Sequence, residues 1–240
     1  MGGLPGVDLE GRVALVTGGA HGLGAAIAEW LGSAGAEVML ADGDRDALER
    51  MRVRSAFATF ECDFASPAGI VEAFTALKER FGRLDVLVCA QRRRPPAGPL
   101  LEISFDDYRR TMAAELDASF LCVQQAGRLM RAGGAGGRIV LVATANAPGV
   151  RRGAGREVAE AGLRGLVTAA AAELAPERIT VNAILPGAIR SELSADELEA
   201  IAASPLAAGR MLGEPDDVAR AALWLLDPDN SYVTGTLVTV

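Results

Sequence analysis

The chain has 240 residues, a net charge of -7 and a pI near 4.9. An acidic surface repels nucleic acids and anionic membranes, so we expect neither as a partner. The three cysteines show no CxxC spacing and leave an odd count, which argues against a zinc site and a disulfide framework. The composition, with 50% hydrophobic residues, 5% aromatic residues and 28 glycines, suits one domain built on a parallel sheet with Ala-rich helices.

Apolar runs of strand length alternate along the chain with longer segments of helical periodicity. The predicted strands lie at 13–16, 37–40, 56–62, 84–90, 138–142, 179–185 and 236–240. The predicted helices lie at 23–32, 67–81, 105–131, 155–174 and 215–226, with N-caps at Ser66 and Ser104. This alternation predicts one doubly wound α/β domain over residues 1–240, with a seven-stranded parallel sheet and ligands beyond the carboxyl ends of the strands.

A glycine-rich turn follows the first predicted strand and leads into the first predicted helix. It reads TGGAHGLG over residues 17–24. Glycines let the backbone approach a pyrophosphate, whose charge is stabilised by the amides and the dipole at the helix N-terminus. The alternative for the glycines alone is a tight turn with nothing bound. The next strand ends in Asp42, eighteen residues after Gly24, where a carboxylate would accept hydrogen bonds from the adenosine ribose.

Asp42 also bears on the choice of cofactor. Its carboxylate repels a 2′-phosphate, and the residue after it is Gly43 rather than an arginine. Arg45 and His21 are nearby groups that could carry positive charge and favour such a phosphate. We predict NAD as the cofactor, with NADP or no cofactor as the alternatives.

Motifs spread over nearly the whole chain resemble those of the short-chain dehydrogenase/reductase (SDR) family. They are the TGxxxGxG turn at 17–24, a Cys-Asp pair at 62–63, the Asn of an RVN segment at Asn182, a Pro-Gly turn at 186–187, and segments at 212–218 and 232–235. The resemblance implies a Rossmann-type fold, oxidoreductase activity, a nicotinamide cofactor and a substrate lid over about residues 190–212. The cofactor-binding residues that it implies are Gly18, His21, Gly22, Leu23, Gly24, Asp42, Asp63 at the adenine, Ala90, Pro186, Gly187, and Ile189 and Ser191 at the nicotinamide carboxamide.

The chain departs from the family after the fourth strand. The family has NNAG there, whereas this chain has Cys89, Ala90, Gln91 and Arg92. Larger side chains therefore stand where a glycine admits the cofactor. The arginine run at 92–94 would either grip an anionic ligand or form a solvated loop.

A second departure concerns the catalytic tyrosine and the lysine four residues after it. By resemblance, the tyrosine falls on Arg156 and the lysine on Glu160, or on Glu157 and Ala161 if the alignment shifts by one residue. No tyrosine occurs anywhere within 109–231. A guanidinium stays protonated in proteins, so Arg156 is not a general acid, and Glu160 reverses the charge of a lysine. The two would form either an i, i+4 ion pair on a helix face or a functional pair.

The family's catalytic serine and asparagine are replaced as well. The serine falls on Thr144, or on Ala143 if the preceding loop has no gap, and the asparagine falls on Glu115. A carboxylate at a partly buried position needs a partner, so Glu115 is either paired with an arginine or an acid/base group. We therefore expect the catalytic tetrad to be missing.

These observations lead to three hypotheses about function. In the first, the chain is the catalytically inactive subunit of a hetero-oligomeric dehydrogenase/reductase and assembles with an active SDR paralogue, or otherwise with itself. In the second, it is a repurposed enzyme: an oxidoreductase with a substitute proton donor, or a dehydratase or isomerase that uses Glu115. In the third, it is a regulatory module that senses NAD.

The location of the protein is predicted from what the sequence lacks. Residues 1–11 contain neither a basic start nor an apolar run, and no apolar stretch has the length of a membrane span. We expect a cytoplasmic protein.

Overall fold

The computed structural model describes residues 7–91, 100–143, 153–193, 198–199 and 212–240. Within these ranges, the chain forms one parallel sheet of seven strands in the order β3-β2-β1-β4-β5-β6-β7. The strands are β1 Val13–Thr17, β2 Glu37–Asp42, β3 Ala58–Glu61, β4 Val86–Cys89, β5 Gly137–Val142, β6 Ile179–Leu185 and β7 Leu237–Thr239. The predicted single-domain, Rossmann-type fold is confirmed.

Helices cover both faces of the sheet. They are α1 Gly22–Ser33, α2 Arg45–Ser55, α3 Pro67–Phe81, α4 Phe105–Met112, α5 Ala118–Gly133, α6 Ala154–Leu174 and α7 Pro215–Leu226. A π-helical turn, Ala113–Asp117, joins α4 to α5 where the sequence predicted one continuous helix. The predicted N-caps are confirmed: Ser66 Oγ accepts from the Gly69 amide at 3.3 Å, and Ser104 Oγ accepts from the Asp107 amide at 3.0 Å.

The core is divided by the sheet because strand side chains alternate between its two faces. Ala14 and Val16 of β1 pack in a cluster with α1, α2 and α7, whereas Val13 and Leu15 pack in a second cluster with α3, α5 and α6. Central strands that are buried on both faces read as continuous apolar runs, which is why the sequence revealed them.

Helix α2 is not predicted by the pattern of apolar residues. This helix carries many charged residues and buries only Ala47, Leu48 and Met51, so its helical period is weak. Its start is nevertheless capped, because the Asp44 side chain accepts a hydrogen bond from the Ala47 amide at 2.9 Å.

The strand order reverses at β1, whose neighbours β2 and β4 lead to opposite edges of the sheet. A crevice beyond the carboxyl ends of β1 and β4 follows from this topology. No helix in the described part of the chain combines the length and the apolar character needed to span a membrane.

Candidate active site

The glycine-rich turn between β1 and α1 is closed by contacts that only glycine allows. Gly18 has a φ of +66°, and a Cβ added to it would lie 2.5 Å from the Ala90 carbonyl oxygen. A Cβ added to Gly24 would lie 2.1 Å from the Gly18 carbonyl oxygen. The Gly18 amide donates to the Ala41 carbonyl at 2.8 Å, which ties the turn to β2. The turn is therefore compact, and the first amides of α1 point into the crevice.

The single histidine lies at the start of α1 without capping it. His21 Nε2 instead lies 2.9 Å from Asp44 Oδ2, and both side chains are about half exposed. The pKa of the Asp44 carboxyl is lowered, chiefly by the hydrogen bond from the Ala47 amide and then by His21. This pair links the glycine turn to the start of α2.

Asp42, at the end of β2, is oriented by two backbone amides. Its Oδ2 accepts from the Ala20 amide at 3.1 Å, and its Oδ1 accepts from the Asp44 amide at 3.0 Å. Each carboxylate oxygen can accept a further hydrogen bond. The carboxylate is thus positioned beside the glycine turn with lone pairs still available for a ligand.

These groups line one cleft of about 820 Å³. Such a volume lies within the usual range of ligand sites, about 300 to 1,000 Å³. Eight of the twelve predicted cofactor residues line it: Gly18, His21, Gly22, Leu23, Gly24, Asp42, Ala90 and Ser191. The lining residues that were not among the predicted cofactor residues are Gly43, Asp44, Arg45, Asp46, Cys62, Phe64, Gln91 and Ala114, of which Asp44, Asp46, Phe64 and Ala114 were not singled out at all.

The other four predicted cofactor residues do not line this cleft. Asp63 is exposed, and its side chain accepts from the Ala65 amide at 3.0 Å in the turn before α3. Its neighbour Cys62 lines the cleft instead, and burial raises the pKa of that thiol to about 12. A Cys62 thiol of this kind stays neutral and unreactive at physiological pH.

The segment after β6 lies at the same edge of the sheet but packs into the protein. Pro186 is buried, and the Gly187 amide donates to the Val240 carbonyl at 2.8 Å. Ile189 is only 2% exposed and forms a parallel bridge with Gly213. These contacts hold the segment against the C-terminal part of the chain.

Gln91 connects the cleft to the interior of the protein. Its Oε1 accepts a hydrogen bond from Thr17 Oγ1, and its Nε2 donates to Ser119 Oγ at 3.0 Å. Ser119 Oγ in turn donates to the Glu115 carbonyl oxygen at 2.7 Å. Gln91 is therefore held between β1 and α5, and it also lines the cleft. The place of the family's glycine falls on Arg92. Residues 92–94 lie outside the described part of the chain.

Next to the cleft is a small cavity of about 20 Å³, which Gln91 also lines. Its charged lining residues are Glu115 from the π turn and Arg156 and Glu160 from α6. Arg156 Nη2 lies 3.6 Å from Glu115 Oε1, with the two side chains 16% and 7% exposed. The expected partner of Glu115 is thus an arginine.

Arg156 and Glu160 do not lie on an exposed helix face, because their side chains line the small cavity and are 16% and 7% exposed. The reason is the close packing of α6 on the π turn, where a Cβ added to Gly162 would lie 2.6 Å from Leu116. Ala143 is buried at the end of β5. Thr144, like the lid residues 194–197 and 200–211, lies outside the described residues.

Named relatives match the chain over nearly all of its length. It is 34% identical over 239 residues to the 2,5-dichloro-2,5-cyclohexadiene-1,4-diol dehydrogenase of Sphingobium indicum, an alignment that covers 95% of both chains. It is 30% identical over 237 residues to the D-threitol dehydrogenase of Mycolicibacterium smegmatis, covering 95% of this chain and 90% of the relative.

These relatives overturn the first functional hypothesis. We expected a catalytically inactive subunit of a hetero-oligomer, but both relatives are named as dehydrogenases, and neither name indicates an inactive chain. That expectation treated the replacement of the family's tyrosine as evidence that the reaction itself is lost. Hydride transfer is chemistry that the cofactor supplies, so a replaced tyrosine does not by itself exclude dehydrogenase activity.

Two further comparisons agree with these relatives. The family model described as enoyl-(acyl carrier protein) reductase matches residues 18–240. The crystal structure of a short-chain type dehydrogenase/reductase from Mycobacterium marinum matches with a TM-score of 0.87 and 27% identity, covering 97% of this chain and 95% of that one. The fold, the glycine turn and these matches lead to one conclusion: the chain belongs to the short-chain dehydrogenase/reductase family.

Proposed function

We propose that this protein is an NAD-dependent alcohol dehydrogenase, which exchanges a hydride between the cofactor and a hydroxyl-bearing carbon of a small molecule. The observation that carries the proposal is the cleft of about 820 Å³, in which the glycine turn and the Asp42 carboxylate line one space. The two relatives described above are named for a diol and a polyol, which supports an alcohol as the substrate.

The residues present fit a dinucleotide. The crowded glycines keep side chains away from the place where a pyrophosphate would lie, and the first amides of α1 would donate to it. Asp42 would accept hydrogen bonds from the ribose hydroxyls through its remaining lone pairs. When bound, the nicotinamide supplies the hydride chemistry.

The charges around Asp42 favour NAD over NADP. Asp42, Asp44 and Asp46 all line this end of the cleft, against Arg45 and His21. His21 pairs with Asp44, so a charged imidazole would be neutralised there. A 2′-phosphate would therefore meet the Asp42 carboxylate with little positive charge to offset the repulsion.

Two measurements on the purified protein test the proposal. Fluorescence titration should show that NADH binds more tightly than NADPH. Absorbance should show NADH formation from NAD⁺ when the protein is mixed with a panel of secondary alcohols and polyols. If NADH does not bind at millimolar concentration, the proposal is wrong.

A further inference from the structure

Three polar side chains beside the cofactor cleft form a continuous chain of hydrogen bonds. Thr17 Oγ1, at the end of β1, donates to Gln91 Oε1. Gln91 Nε2 donates to Ser119 Oγ at 3.0 Å, and Ser119 Oγ donates to the Glu115 carbonyl oxygen at 2.7 Å. These bonds therefore link the strand that leads into the glycine turn to α5 and to the π turn.

The direction of the hydrogen bonds is fixed at Ser119. A hydroxyl has one hydrogen, and that of Ser119 is used on the Glu115 carbonyl. Ser119 Oγ can therefore only accept from Gln91, so the amide N–H of Gln91 faces α5 and its oxygen faces Thr17. Each group donates onward in the same sense, and bonds arranged in this way polarise one another. An amide, which accepts at one end and donates at the other, suits position 91 for this reason.

Both ends of this hydrogen-bonded chain border the cleft of about 820 Å³. Gly18, which follows Thr17, lines the cleft, as do Ala114, which precedes Glu115, and Gln91 itself. The Gln91 backbone also packs directly on the glycine turn, because a Cβ added to Gly18 would lie 2.5 Å from the Gln91 Cα. The Gln91 side chain is thus placed to set the spacing between two walls of the cleft.

The Gln91 amide is not needed to satisfy the hydroxyl groups that it contacts. Thr17 Oγ1 has a second acceptor, the Val88 carbonyl oxygen at 3.4 Å, and β1 is already joined to β4 by strand pairing. Ser119 keeps its bond to the Glu115 carbonyl without any contribution from Gln91. Loss of the amide would leave both hydroxyl hydrogens with an acceptor, so its cost to folding should be small. Its contribution is therefore expected in the geometry of the cleft.

We propose that Gln91 is a positioning residue for the cofactor, an inference that rests on the proposed function. Its amide holds the glycine turn and the π turn at the spacing that a bound dinucleotide requires. Preorganisation of this kind strengthens binding, because the cost of ordering the site is met before the ligand arrives. The effect should therefore appear in cofactor affinity and not in the chemical step.

The primary test is Gln91→Met, which keeps the length of the side chain and removes both of its hydrogen bonds. We expect the NADH dissociation constant, measured by fluorescence titration, to rise by roughly tenfold. KM for NAD⁺ should rise by a similar factor, with kcat at saturating NAD⁺ within about twofold of the wild type, because the loss is in binding. Gln124→Met, the same change on α5, is the matched control, since the described linings of the cleft and of the small cavity do not include Gln124.

A second variant removes the next link with a smaller change in volume. Ser119→Ala should raise the NADH dissociation constant by roughly two- to tenfold. Ser33→Ala is its matched control, because Ser33 Oγ makes the same kind of bond, to the Glu29 carbonyl one turn back at 2.8 Å, at the far end of α1 from the glycine turn. In the double variant Gln91→Met with Ser119→Ala, the second change should matter less than it does in the wild type, since the chain of bonds is already broken.

The outcomes separate this inference from the proposed function. If the wild type binds NADH and oxidises an alcohol, and Gln91→Met loses only free energy of unfolding while it binds NADH within about twofold of the wild type, the positioning role is overturned and the proposed function stands. Fully additive effects in the double variant also overturn the role. If Gln91→Met does not fold, Ser119→Ala decides by the same criterion. If the wild type neither binds NADH nor turns over any alcohol in the panel, both proposals fall together.

Discussion

The nucleotide end of the cleft and the small cavity beside it are formed by different kinds of group. The nucleotide end is made of backbone: glycines that tolerate close approach, helix amides, and a carboxylate held by two more amides. The small cavity beside it is lined by the side chains of Gln91, Glu115, Arg156 and Glu160, which come from the segment after β4, the π turn and α6. A tight backbone turn can be recognised from the glycines in a short stretch of sequence. A side-chain cluster cannot, because it depends on how helices from distant parts of the chain pack together.

The largest effect should come from filling the nucleotide end. Gly24→Val places a branched side chain where even a Cβ lies 2.1 Å from the Gly18 carbonyl oxygen. Overpacking costs about 1 to 3 kcal/mol, so we expect NADH affinity to fall by roughly 5- to 150-fold, measured by fluorescence titration.

The control for this change is a glycine with open space around it. A Cβ added to Gly165 in α6 meets nothing within 4 Å. Gly165→Ala should leave NADH affinity unchanged and raise the free energy of unfolding by about 0.5 to 1 kcal/mol through helix propensity. Equal NADH binding by Gly24→Val and the wild type would contradict a backbone cradle at this end.

Removal of one charged side chain from the small cavity should lower the free energy of unfolding. Arg156→Met removes the guanidinium beside the buried Glu115 carboxylate, and breaking a buried pair costs about 3 kcal/mol. Urea denaturation measures this loss. The double variant Arg156→Met with Glu115→Gln should recover part of it, because no buried charge is then left behind. Additive losses in the double variant would mean that the two side chains do not interact.

A smaller effect is expected from Asp42, which we propose favours NAD over NADP. Asp42→Asn removes the charge that repels a 2′-phosphate but keeps only one acceptor oxygen, so one of the two bonds from the Ala20 and Asp44 amides is lost. We expect the ratio of NADPH to NADH dissociation constants to fall by roughly tenfold, equivalent to about 1.4 kcal/mol. Glu49→Gln, an exposed change on α2 away from the cleft, is the control. An unchanged ratio would show that Asp42 does not set the preference.

The smallest effect concerns the link between the turn and α2. The pKa of Asp44 is lowered in the folded protein by the Ala47 amide and His21. Its stabilising effect is therefore present above the ordinary carboxyl pKa of about 3.9 and is lost as the pH falls through the lower, folded-state value. The wild type should lose more thermal stability than Asp44→Asn between about pH 5 and pH 3, measured by melting temperature. If the melting temperatures of the wild type and Asp44→Asn fall equally over this range, the ionised Asp44 carboxylate does not stabilise the fold.

Several predictions are not tested by the fold or the relatives. The identities of the tetrad positions rest on the alignment alone, and Thr144 and most of the lid lie outside the described residues. The oligomeric partner and the cytoplasmic location also stay predictions, because neither follows from the packing of a single chain. A cross-link or mass measurement in solution would address the partner directly.

The sequence was sufficient for the strands and the glycine turn, because each depends on local composition: apolar runs, and glycines at positions where a Cβ would collide. It was not sufficient for α2, whose few buried residues leave a weak period, or for the π turn, which interrupts an otherwise regular helix. Nor could it bring Glu115 to Arg156, 41 residues further along the chain, since that contact arises only when α6 packs on the π turn. Periodicity and turn chemistry are local properties, whereas the meeting of charged side chains across helices is decided by packing.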